Sequence, residues 1–95
     1  MAEAELRAYA RRVGDRWALE QVLVAGPPFL VVLVSPGFDG VPWLERVRQA
    51  EALWDAAEMG GPAEVHCYTP AEFARQGERF RNRDLSALPS SEEQA

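Results

Sequence analysis

Glu64 and His66 stand two residues apart in the run Ala63-Glu64-Val65-His66-Cys67-Tyr68, where apolar and polar residues alternate. A period of two marks a strand with one packed face, so both side chains project to the same side. A carboxylate beside an imidazole offers two ligands for a divalent metal, or an acid–base pair. A stable metal site takes three or four ligands, and the chain holds 1 His and 1 Cys, with Cys67 on the opposite side of that strand. A polar edge or partner-facing patch is therefore the better reading of the pair. Of the other acids near this stretch, Asp39 reads as a turn or cap residue and Asp55 as a solvated helix residue.

A second group of residues could recognise rather than react. Arg75, Arg79 and Arg83 fall four apart in a helical segment and form a stripe suited to phosphate or to an acidic partner, although a solvated face has the same spacing. Trp17 sits between the first helix and the first strand with no periodic role. A partly exposed tryptophan anchors interfaces, and core filling is the competing explanation. The candidate interaction surface is Trp17, His66, Arg75 and Arg79.

The elements that must position these residues fit one small domain. The chain has 95 residues, 47% hydrophobic and 26% charged, ordinary values for a globular protein with a single core. No apolar run approaches the roughly 20 residues that span a bilayer, and the charged, amphipathic N-terminus is unlike a secretory signal, so a cytoplasmic protein is expected. The formal charge is -5 and all ten basic residues are arginine. That balance opposes a general nucleic-acid-binding surface, which draws its affinity from neutralising phosphates.

Residues 2 to 13 place Leu6, Tyr9, Ala10 and Val13 at helical spacing, with Gly14 where a helix end accepts positive φ and with arginines 7, 11 and 12 on a solvated face. Leu19 to Ala25 and the apolar Phe29 to Val34 read as strands. Only Gly26, Pro27 and Pro28 separate them, too few for a helical crossover, so they should form an antiparallel hairpin. Trp43, Val47, Ala50, Trp54 and Ala57, joined by Leu44 and Leu53, give one helix a broad apolar face ending at Gly60-Gly61-Pro62. Ala63 to Tyr68 is the third strand. Thr69-Pro70-Ala71-Glu72 opens a last helix with a capping box, running to about Arg81, with Gly77 tolerable there if close packing requires it. The expected class is α/β (α+β): a small mixed three-stranded sheet with about three helices, in the order α-β-β-α-β-α, over residues 1–84, with 85–95 a flexible tail.

The Val34-Ser35-Pro36 exit, the Pro42-Trp43-Leu44-Glu45-Arg46 helix start, Leu53-Trp54-Asp55 and Cys67-Tyr68-Thr69-Pro70 with Glu72-Phe73 together resemble the core of the minimal nucleotidyltransferase family, the polymerase-beta-like nucleotidyltransferases. The resemblance covers about half of the chain and implies a nucleotidyltransferase-like fold. In that family two aspartates two positions apart on a strand, and a third carboxylate from its neighbour, hold the metals that neutralise a nucleoside triphosphate. Counting back from Val34-Ser35-Pro36 puts the aspartate positions at Pro28 and Leu30, whereas Glu64 matches the third. The family's glycine-serine turn, whose amides hold phosphates, has no counterpart in Ala25-Gly26-Pro27-Pro28, and Val13-Gly14-Asp15-Arg16 is a poor substitute.

A degenerate member of the family is the reading that follows, with Glu64 the surviving candidate catalytic carboxylate, no metal site and no cofactor. The resemblance implies a protein-interaction or regulatory module, antitoxin-like beside a small helical partner of the HEPN type, or self-associating. The alternative is a divergent enzyme transferring a nucleotidyl group from magnesium-bound NTP, using Glu64 with carboxylates from Asp15, Asp39 or a second chain. Nucleotide binding without turnover would need backbone amides that the Gly26-Pro27-Pro28 turn does not supply.

Overall fold

A computed structural model describes residues 3–26, 28–80 and 85–87. Helix α1 spans Glu3–Gly14, strand β1 Gln21–Ala25 and strand β2 Phe29–Val34. A 3-10 turn at Pro36–Phe38 leads into α2, Trp43–Ala52, and the short α3, Ala56–Met59. Strand β3, Ala63–Tyr68, is followed by α4, Pro70–Gln76, a 3-10 turn at Gly77–Phe80 and the two-residue strand β4, Ser86–Ala87.

The hairpin expected from the short Gly-Pro-Pro connection is present: β1 and β2 pair antiparallel from Gln21↔Val34 to Ala25↔Leu30. Gly26 makes the turn at φ 123°, where an added Cβ would lie 2.3 Å from the Pro28 carbonyl oxygen, so glycine is required. β3 returns parallel to β2, with Leu30 beside Glu64 and Val32 beside His66. The sheet has four strands rather than three, in the order β3-β2-β1-β4. The fourth falls within the segment read as a tail, where Ser86 and Ala87 pair with Val24 and Leu23. Two residues between Leu85 and Leu88 are too short a run for any period to have announced them. Positions 88–95 and Arg83 lie outside the described residues.

All six residues of β2 are buried, as its unbroken apolar run demands of a strand covered on both faces. On one face Val31 and Leu33 join Val22, Val24, Val65 and Cys67 beneath Tyr9 and Val13 of α1 and Ala50 of α2. On the other, Leu30, Val32, Val34 and Tyr68 pack with Phe80, Phe73 and Leu85. Burial of each such side chain contributes on the order of 2 kcal/mol.

Three local expectations are corrected. The helix read as continuous to Gly60 breaks after Ala52, because Asp55, expected to be solvated within it, caps α3 by accepting from the Ala57 and Glu58 amides. Arg12, placed on a solvated face, donates through Nε and Nη2 to the Leu53 carbonyl at 3.2 and 3.0 Å and so satisfies the end of α2. Gly14 closes α1 without positive φ. Gly77 does answer to packing, since a Cβ there would come within 3.3 Å of the Phe73 ring. The backbone tightens to 3-10 at that residue.

Candidate functional site

β3 is an edge strand, and its alternation sets Val65 and Cys67 under α1 and α2 while Glu64, His66 and Tyr68 stand on the α4 side. His66 and Tyr68 lie stacked, with ring centroids 6.3 Å apart, and form the floor of a groove. Trp43, in the first turn of α2, reaches round the strand edge to meet them at 6.1 and 5.4 Å. Glu72 and Gln76 of α4 and Arg79 of the following turn supply the other wall, and the six residues enclose about 380 Å³.

Periodicity assigned Trp43 and Leu44 to the core, yet they are 40% and 78% exposed. Helical side chains lean toward the N-terminus, so residues in the first turn of α2 point past the end of the sheet face that Val47 and Ala50 cover. Trp17, the proposed anchor, is half-buried instead and packs on Phe38 with centroids 4.8 Å apart.

Arg46 fixes the wall of the groove from within. It is 6% exposed, and its Nε donates to the Val41 carbonyl at 2.8 Å. Nη1 donates to the Cys67 carbonyl at 3.2 Å and to Glu72 Oε1 at 2.7 Å, while Nη2 reaches Glu72 Oε2 at 3.3 Å. Such a forked pair is favourable only when all its donors are used, as they nearly are here. Glu72 also accepts from the Thr69 amide at 2.9 Å, closing the capping box. Arg46 first, then that amide, hold the Glu72 carboxyl down at about 2.

The same guanidinium shields a sheet edge. The Tyr68 carbonyl accepts from the Ser35 amide on the β2 side, so the preceding carbonyl of Cys67 points outward, where Arg46 takes it. A capped carbonyl is unavailable to a pairing strand. Beneath it the Cys67 thiol is buried, and desolvation pushes its pKa up to about 12, which makes it inert as a nucleophile.

At the far side of the floor His66 Nε2 lies 2.6 Å from Glu64 Oε2. A carboxylate only accepts, so Nε2 carries the proton; Nδ1 is buried without a partner. Arg79 Nη1 approaches the Tyr68 hydroxyl at 3.5 Å and its guanidinium lies 5.8 Å from the Phe80 ring. Among the described residues no carboxylate pairs with it. Arg75 is exposed in the last turn of α4 and does not line the groove.

The structure thus brings together Glu64, His66 and, through Tyr68, Arg79; it leaves Trp17 on the other side of the sheet. Asp15 and Asp39 occupy exposed turns after α1 and after the first 3-10 turn. Among the described residues no three acids, histidines or cysteines are grouped to hold a metal ion. Leu30, at one of the two family aspartate positions, is 1% exposed, beside Glu64 but within the apolar cluster. Sequence reasoning missed Arg46 and the places of Trp43 and Gln76 on the two walls of the groove.

No family model matches the chain, and no curated protein does. Among solved structures it is similar to the crystal structure of a protein from Sulfolobus solfataricus proposed to be a nucleotidyltransferase, with a TM-score of 0.61. The match covers 95% of this chain and 81% of that one at 14% identity. The fold is therefore nucleotidyltransferase-like. Among the described residues no helix is long and apolar enough to cross a membrane.

Proposed function

We propose that this nucleotidyltransferase-like domain is a non-catalytic protein-interaction or regulatory module. One observation carries the reading. The sheet face on which Glu64 stands is filled by Leu30, Val32 and Val34, each at most 1% exposed beneath Phe80 and Tyr68. Carboxylates that hold magnesium must be hydrated or metal-bound, and a charged group buried among these side chains would be neither. Catalytic groups of this kind act as a unit, so Glu64 without its two companions would supply almost none of the rate.

The exposed Trp43 and Leu44 support an interaction role, because adjacent large apolar side chains at a groove mouth are a usual feature of recognition surfaces. The resemblance implies a small helical HEPN-type protein in an antitoxin-like pairing as the partner, or a second copy of this chain. Tagged protein purified from its source cells should retain a helical protein in fixed ratio, and the pure protein should transfer no label from radioactive NTPs. Transfer that depends on magnesium and disappears in Glu64→Ala would replace this reading with that of a divergent enzyme.

A further inference from the structure

We infer that the groove between Trp43 and Arg79 receives a peptide segment of a partner protein, an aromatic or leucine side chain flanked by a carboxylate. This rests on the module reading and names the chemistry of its partner. Glu72 is neutralised in place by Arg46, whereas Arg79 on the same wall has no carboxylate partner among the described residues. Arg75, four residues earlier on α4, is an exposed cation outside the groove. In a chain of formal charge -5 this wall is a local positive spot.

The aromatic lining of Trp43, His66 and Tyr68 would by itself also suit an organic cation. The Trp43 ring already has Arg46 at 6.0 Å, and Arg79, unpaired with any carboxylate among the described residues, stands across the groove, so a further cation there is repelled by Arg79. An anionic group on Arg79 and the Tyr68 hydroxyl is favoured instead, with an apolar group against Trp43. About 380 Å³ accommodates one large side chain, and Leu44, 78% exposed beside Trp43, continues the apolar surface outside the cavity. That continuation fits a chain passing over the rim better than a small molecule seated inside.

The test is selection of a displayed random heptapeptide library on the folded protein, followed by calorimetry with soluble peptides. Enriched peptides should carry Phe, Tyr, Trp or Leu within two positions of Asp or Glu. Arg79→Glu and Trp43→Ala should each weaken binding at least tenfold, as should Lys for the peptide's acid, while Arg11→Glu on α1 leaves affinity unchanged. Circular dichroism checks that each variant is folded. Enrichment of basic peptides, no enrichment, or affinity indifferent to both groove substitutions overturns the inference. If a protein partner is nonetheless retained in purification, the groove assignment falls and the module reading stands; magnesium-dependent label transfer removes the module reading itself.

Discussion

The two faces of one sheet have been put to different uses. Toward α1 and α2, Val31, Leu33, Val65 and Cys67 meet Tyr9, Val13 and Ala50, and every one is buried. Toward α4 the centre is as apolar, with Leu30, Val32 and Val34, but the β3 margin turns polar and aromatic through Glu64, His66 and Tyr68. The first face is a core and nothing else. The second is a core at β2 and an open groove at β3, which teaches that one strand can seal a face while its neighbour on the edge leaves a polar margin beside it.

The sharpest way to break that comparison is to introduce charge into the packed centre of the second face. Leu30→Asp should destabilise the domain by about 4 kcal/mol, the scale of an uncompensated buried charge, in urea unfolding followed by circular dichroism. A loss below about 1 kcal/mol would show that water reaches this face and that it is not the equal of the other. Leu33→Ala, on the sealed face, should cost about 3 kcal/mol by the usual transfer and cavity terms.

Arg46→Ala should cost a similar or slightly smaller amount, about 3 kcal/mol, because Glu72 and the Cys67 carbonyl lose a buried partner. It should also release the outer edge of β3, so the variant should self-associate more strongly than the parent in sedimentation velocity. Acid offers a subtler probe of the same pair. Glu72 titrates at about 2 rather than its ordinary 4.5, so its contribution is complete above pH 4.5 and fades as pH falls toward 2. The stability difference between the parent and Glu72→Gln should therefore stay constant above about pH 6 and narrow below pH 4.5. A difference that grew on acidification would contradict the pairing. Leu44→Ser, at the rim, should change stability by less than about 0.5 kcal/mol while weakening partner binding.

Much of the frame was legible in residue order. Phe29 to Val34 could only be a strand covered on both sides, the Gly26-Pro27-Pro28 link forced the hairpin, and the alternation of Ala63 to Tyr68 correctly sorted Glu64, His66 and Tyr68 from Val65 and Cys67. The capping box of Thr69 and Glu72 was equally plain. What escaped depends on contacts distant in sequence. Nothing local says that Arg46 will fold inward to meet Glu72 and the Cys67 carbonyl, and a helical wheel cannot tell that α2 begins beyond the edge of the sheet, which exposes Trp43. Asp55 was hidden for a related reason: its cap competes with a helix pattern that continues through it, and the competition is decided by Arg12 binding the Leu53 carbonyl from another helix.

The central claim, that packing has displaced the metal chemistry of this face, is tested most directly by calorimetric titration of magnesium-ATP into the purified protein. The account predicts no saturable heat at any accessible concentration, with GTP and CTP behaving alike. Saturable, magnesium-dependent binding that is lost in Glu64→Ala would contradict it.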